Sequence, residues 1–165
     1  IVSEERLGAA VSRLLSAHPY EEVAYDVYSL AREGKLYGLG RVGELPQSLP
    51  LAEFAHRVKA TLALAAVTVV GDENKKIKKV AVCGGSGSSL VRRARSVGAD
   101  VLVTGDVKYP AAQEADLLGL AVIDAGHAGT ENPVILMLAD YLRTKLRDHG
   151  VVVYPYTAAD ISRTL

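Results

Sequence analysis

Three short apolar runs constrain this chain more than anything else in it: Val80–Cys83, Val101–Thr104 and Leu120–Asp124 show no polar alternation, and each runs into a glycine-containing loop. Strands that face solvent on one side alternate, so unalternating runs of this length point to strands covered on both faces. The intervening segments Leu90–Ser96 and Pro110–Leu118, and then Asn132–Arg147, read as helices. Short buried strands alternating with helices give a parallel or mixed sheet with crossover connections. Ligands of such sheets bind outside the carboxyl ends of the strands. That rule directs attention to Gly84-Gly85-Ser86-Gly87-Ser88-Ser89, Gly105-Asp106-Val107-Lys108-Tyr109 and Ala125-Gly126-His127, which should lie on one edge.

Ahead of Lys79 the pattern differs. Residues 4–17 place Leu7, Ala10, Val11, Leu14 and Leu15 on one helical face, with Ser3 as a cap and His18-Pro19 as the stop. Val23–Leu30 alternates and is rich in Val and Tyr, so it reads as a strand; a turn at Arg32-Glu33-Gly34-Lys35 leads to a shorter partner at Tyr37–Val42. A second helix begins at Pro50 with Phe54, Ala55, Val58 and Leu62 inward, a strand follows at Ala65–Val70, and Gly71–Lys76 is a polar connection. With one more strand ahead of Ile1 this order would be ferredoxin-like. Ile1-Val2 itself reads as the end of a strand and no initiator Met is present, so the sequence is expected to be a fragment. The expected architecture is α/β (α+β overall), with a ferredoxin-like module over residues 1–74 and part of an α/β domain over residues 75–165.

At 165 residues and 49% hydrophobic, the chain can bury a real core. Lys plus Arg and Asp plus Glu both number 19, which removes the electrostatic case for nucleic acid or an anionic membrane surface. No apolar stretch reaches the roughly 18 residues of a membrane helix, and no basic segment leads into a cleavable signal; a cytoplasmic location is the expectation. The single cysteine, Cys83, sits within an apolar run and reads as packing.

The chemistry concentrates at His127 and Glu131. Four residues apart, both side chains reach one metal ion if a helix starts between them, and Thr130 as N-cap with Pro133 in the first turn supports such a start. Asp106 follows a buried strand and admits three roles: ligand, orienter of a ligand, or helix cap. The Gly85-Ser86-Gly87-Ser88 loop lacks both the Gly-Lys-Ser/Thr ending of a phosphate-binding loop and the third glycine of a dinucleotide fingerprint, leaving a ligand contact and a close-packed turn as equal readings. Thr104 is grouped with this loop as a ligand contact. In His18-Pro19-Tyr20-Glu21-Glu22, Pro19 extends the chain and spreads the side chains, so His18, Tyr20 and Glu21 are expected at an interface instead of on a metal. His56 and His149 read as structural. Lys75-Lys76 and Lys78-Lys79 read as a solvated linker, and Arg92-Arg93 with Arg95 as a solvated helix face.

Together, Cys83–Ser89, Gly98-Ala99-Asp100, Val103–Tyr109 and Asp124-Ala125-Gly126-His127 with Thr130-Glu131 closely resemble the carboxy-terminal half of the GTP cyclohydrolase I type 2 homologues, the Nif-three-like or dinuclear-metal-centre proteins. Ala17–Asp26 and Gly38–Leu45 resemble the later part of the insert carried by longer bacterial members. The resemblance implies two divalent ions (zinc, iron or manganese), with His127 and Glu131 as two ligands and the others, a histidine pair and an aspartate, in an amino-terminal half absent from this chain. It implies a homo-hexameric assembly and a metal-dependent hydrolase acting on a nucleotide or other small molecule, with Asp106 accepting a proton or orienting a ligand. The fragment alone is expected to be inactive. The alternative is a non-catalytic metal-binding regulatory or oligomerisation protein. One departure stands out: Pro110 occupies a position where the family commonly has histidine. Proline suits the first turn of a helix, so the fold is unaffected while a histidine contact is lost.

Overall fold

The structure, a computed structural model, describes residues 1–30 and 37–157. The described residues divide into two compact units, one up to Tyr37 and one from Gly38 onward. In the first unit a short 3-10 turn at Glu4–Arg6 leads into α1 (Leu7–Ala17), which ends as expected at His18. Ser3 contributes its carbonyl to the Arg6 N–H, and its side chain makes no cap. Residues 23–30 are not in a strand ladder, nor are Ile1 and Val2, and the turn expected at 32–35 lies outside the described residues.

The second unit carries the strands β1 (Arg41–Pro50), β2 (Thr68–Val70), β3 (Lys76–Ser86), β4 (Val101–Gly105) and β5 (Ala121–Asp124) and the helices α2 (Leu51–Thr61), α3 (Val91–Ser96), α4 (Tyr109–Leu117) and α5 (His127–Lys145). The sheet order is β1-β3-β4-β5-β2. β3, β4 and β5 are parallel, while β1 and β2 close the edges antiparallel to β3 and β5. The mixed α/β class is therefore as expected. The expected division between residues 74 and 75 falls inside this one sheet: β1 and β2, from residues before 75, pair with strands after it. Of the strand expected at Tyr37–Val42 only Arg41 and Val42 are in a strand: β1 begins at Arg41, runs on to Pro50, and pairs with β3 and not with residues 23–30.

Both faces of the sheet are covered, which is why its strands do not alternate in sequence. Val101, Val103, Ala121 and Ile123 point into one layer with Leu51, Phe54 and Ala55 of α2. Leu102, Val122 and Ala81 point into the other, with Val91 and Ala94 of α3 and Ala115 of α4. Pro110 lies in the first turn of α4, as its fixed φ favours.

The lysine run is not a solvated linker. The Lys75 ammonium donates to the Asp100 carbonyl (2.8 Å) and the Gly119 carbonyl (2.7 Å), tying together the starts of β4 and β5. Partial burial lowers the Lys75 pKa, although the nearby Asp100 opposes that shift. Lys78 donates through Nζ to the Leu45 and Pro46 carbonyls, and the Asp100 carboxylate accepts the Lys78 and Lys79 N–H groups (2.9 and 2.8 Å). The Glu73 and Lys75 carbonyls accept the Ala52 and Leu51 N–H groups, which satisfies the first two amides of α2 without a side-chain cap. This amino-terminal edge of the sheet is a set of structural braces, and the opposite edge is left for chemistry. Lys75→Met should strip two carbonyls of their donor and lower unfolding stability by about 1–3 kcal/mol, measured as a lower urea midpoint at unchanged m-value.

Candidate functional site

The carboxyl ends of the parallel strands bring the three glycine-containing loops together as expected. Gly105 ends β4 so close to the corner after β5 that a Cβ there would stand 2.7 Å from the Gly126 carbonyl carbon and 2.8 Å from the His127 nitrogen. Gly126, at φ 75°, makes the turn that starts α5. The Asp124 carboxylate locks this corner by accepting the Val107 N–H (2.8 Å) and the Gly126 N–H (3.0 Å). Sequence reasoning missed that role. An Asp two residues before a glycine is an Asx-turn signal for the second bond, but the first comes from a different loop and has no local signature.

Helix α5 begins at His127, earlier than Thr130 and Pro133 suggested. Thr130 is therefore not the N-cap. Its hydroxyl lies 2.9 Å from the Gly126 carbonyl and 3.0 Å from that of His127, and accepts the Gly85 N–H at 2.8 Å. Pro133 is consequently inside the helix. His127 and Glu131 share one helical face, with Nε2 and Oε1 3.4 Å apart and each side chain about half exposed, 52% and 53%.

Asp106 completes the arrangement from the other side. Its Oδ2 lies 2.6 Å from His127 Nδ1. An ionised carboxylate only accepts, so Nδ1 carries the proton and the Nε2 lone pair of the neutral ring is left on the Glu131 side. Asp106 holds a left-handed φ of 57°, a conformation that Asp tolerates better than most residues and that recurs at functional sites. It is not the cap of α4, whose N-cap position is Lys108 with no side-chain bond. The hydrogen bond to Asp106, and then the charge of Glu131, raise the His127 pKa above the ordinary histidine value of about 6.5.

The glycine–serine loop resolves into two kinds of residue. Thr104, fully buried, donates its hydroxyl proton to the Gly85 carbonyl (3.0 Å) and accepts the Gly87 N–H (2.9 Å). With Thr130 holding the Gly85 N–H, both glycine amides are occupied internally. Gly85, Gly87 and Thr104, expected as ligand contacts, are parts of a close-packed turn, because a ligand would have to displace bonds the fold already makes. A Cβ on Gly87 would stand 2.9 Å from Cys83 Cβ, so the loop is pinned sterically as well. Ser86 and Ser88 remain available: they line an open cleft of about 510 Å³ with Asp106, Val107, Lys108 and Asp124. Gly85 has a further role. At φ 63° it faces the His127–Glu131 pair, and a Cβ would collide with the Glu131 carboxylate and stand 3.2 Å from His127 Nε2.

His18, Tyr20 and Glu21 belong to the first unit. The Tyr20 N–H donates to His18 Nδ1 (3.2 Å), the two rings stand edge to face 5.0 Å apart, and Tyr20 and Glu21 are exposed. Among the described residues, no group of three or more His, Cys, Asp or Glu side chains is arranged to hold a metal ion. Nor is any helix among them long and apolar enough to cross a membrane.

A profile of the Duf34/NIF3 family (NGG1p interacting factor 3) matches residues 3–160. A GTP cyclohydrolase 1 type 2 homolog of Halalkalibacterium halodurans is 46% identical over 127 residues, 77% of this chain and 34% of that protein. The protein of the same name from Bacillus subtilis is 46% identical over 119 residues, 72% of this chain and 32% of its own length. The chain thus spans about a third of the length of these curated relatives. Among solved structures, a Bacillus cereus protein related to NIF3 aligns with TM-score 0.72 at 38% identity, covering 93% of this chain and 42% of that one. A Staphylococcus aureus protein aligns with TM-score 0.80 at 30% identity, covering 99% and 47%.

Two measurements check this geometry. The His127 ring should titrate with a midpoint above 6.5 by NMR, and Asp106→Asn should bring it down. Because the folded-state value is raised, the stabilisation from protonated His127 is complete below the unfolded value and is lost as pH rises through the folded one. Thr104→Val should cost about 1–3 kcal/mol by leaving a buried N–H and carbonyl unpaired, read as a lower unfolding midpoint with His127 titration little changed.

Proposed function

The chain belongs to the Duf34/NIF3 family, and on that premise we propose that it supplies the His127 and Glu131 part of a two-metal centre in a hydrolase that acts on a nucleotide or related small molecule. The supporting observation is the space over Gly85: the backbone is shaped so that nothing larger than hydrogen stands against Nε2 of His127 and Oε1 of Glu131. An imidazole nitrogen beside a carboxylate oxygen suits zinc, iron or manganese. Divalent ions bound there would supply Lewis-acid polarisation of a phosphate or carbonyl oxygen and would acidify a water.

The chain's own residues have narrower tasks. Asp106 keeps the proton on Nδ1 and so keeps Nε2 a donor of its lone pair; it acts as a positioning residue for His127. Glu131 adds the second donor from the same helical turn. Thr104, Thr130 and Asp124 hold the loops on which these side chains stand. Two donors make an incomplete set, so the remaining ligands are proposed to lie in the portion of the relatives that this chain does not span. A cytoplasmic homo-hexamer is carried over from the family resemblance for the intact protein.

The test is metal content per chain after purification without chelator, for the 165-residue protein and for His127→Ala. Bound zinc, iron or manganese should be present in the first and absent from the second. In a full-length relative supplied with manganese or zinc, the matching substitution should cut nucleotide hydrolysis by more than the roughly 10- to 100-fold that loss of an outer hydrogen bond to a metal ligand causes. Turnover indifferent to that substitution overturns the proposal.

A further inference from the structure

We infer that the cleft beside His127 seats the vicinal hydroxyls of a sugar-class ligand such as a ribose, and not a phosphate. The inference deepens the proposed function by assigning one part of a nucleotide substrate to one surface, and it rests on that reading only for the word substrate. The cleft, about 510 Å³, is within the range of roughly 300–1,000 Å³ usual for small-molecule sites. Its polar lining is Ser86, Ser88, Asp106, Lys108 and Asp124.

What these groups can still do decides the ligand. Among the described residues, the Ser86 and Ser88 hydroxyls and the Lys108 ammonium make no hydrogen bond to protein. Asp106 uses Oδ2 on His127 and keeps Oδ1. Asp124 accepts one N–H on each oxygen, and each oxygen retains a second lone pair. The free capacity is therefore mixed: two hydroxyls that donate and accept, one ammonium that donates, and two carboxylates that only accept. Hydroxyl groups of a ligand also donate and accept, so a vicinal diol can satisfy both kinds. A fully ionised phosphate ester only accepts, and inorganic phosphate near neutral pH offers few donors against its acceptors. Either would leave the carboxylates short of donors and place its charges beside two anions with a single lysine in compensation.

A nest of backbone N–H groups in the glycine loop, which would favour a phosphate, lacks its two glycine amides. The Gly85 and Gly87 amides are bonded to Thr130 and Thr104. The arrangement also places the diol on the Asp106 side of the imidazole, while the Nε2 face next to Glu131 stays clear. The reacting group of a bound nucleotide and its sugar would then lie on opposite sides of His127.

The test is a titration of the 15N-labelled 165-residue chain, in chelator and without metal, with uridine, 2′,3′-dideoxyuridine and inorganic phosphate. Uridine should shift the amides of Ser86–Ser88 and Asp106–Lys108, dideoxyuridine should bind at least about tenfold more weakly, and phosphate should leave these amides in place. Ser86→Ala, at an exposed position, and Ser88→Ala, at a half-buried one whose hydroxyl makes no bond to protein, should each weaken uridine severalfold without altering the unfolding midpoint. Equal binding of uridine and its dideoxy analogue, shifts with phosphate alone, or no shift at these amides with any probe would each overturn the inference. A separate zinc titration followed at His127 and Glu131 distinguishes the two readings: zinc binding without a uridine response removes the sugar site alone, and a uridine response without zinc binding removes the metal reading alone.

Discussion

Everything at the candidate site depends on how closely the end of β4 approaches the corner after β5. Gly105 leaves no room for a Cβ against the Gly126 carbonyl, and that closeness delivers Asp106 to the imidazole of His127, 21 positions further along the chain. Any side chain at 105 would drive the two loops apart and separate the carboxylate from the ring. The Asp124 carboxylate reinforces the approach from the inside by bonding an amide of each loop.

The two edges of the sheet divide their work. At the amino-terminal edge, Lys75 and Asp100 make charged hydrogen bonds to backbone groups, and the charges are consumed in holding strand starts together. At the carboxyl-terminal edge, backbone amides are held by the hydroxyls of Thr104 and Thr130 and by the Asp124 carboxylate, while His127, Glu131 and the outer oxygen of Asp106 keep unused capacity. Such a division lets the site carry poorly balanced charge without the fold depending on it.

The sheet was legible because burial on both faces leaves a direct trace, unalternating apolar runs, and three parallel strands match the three runs read from the sequence. The loops that carry chemistry were legible for the same reason, since strand ends locate them. The start of α5 was misread because Thr130 and Pro133 carry strong local signals for a later start, and the Gly126 turn together with tertiary bonds to Thr130 overrode them. The lysine run was misread because a charge in sequence signals water, whereas the partners of Lys75 lie 25 and 44 positions away. The same non-locality hid the role of Thr104, whose polar group looked available until its two partners in the glycine loop appeared. Of the edge strands, β2 lies within the strand read at Ala65–Val70, while β1 was read only as far as Val42, because Pro46 and Pro50 and the scattered polar residues after Val42 hide the strand pattern; neither segment carries information about which neighbour it will join.

Pro133, two residues beyond Glu131, sits inside α5 without an N–H to give. The carbonyl four residues earlier, at Gly129, therefore has no helical partner, and the hydrogen-bond ladder is interrupted between the turn that bears His127 and Glu131 and the longer remainder of the helix. The turn that bears the pair is tied to the loops beneath it by the Gly85 N–H bond to Thr130 and the Asp106 contact to His127, and to the rod above it by a ladder with one rung missing. The outer half of α5, where Leu136, Met137 and Tyr141 are exposed, can therefore bend relative to the imidazole at lower cost than an unbroken helix could.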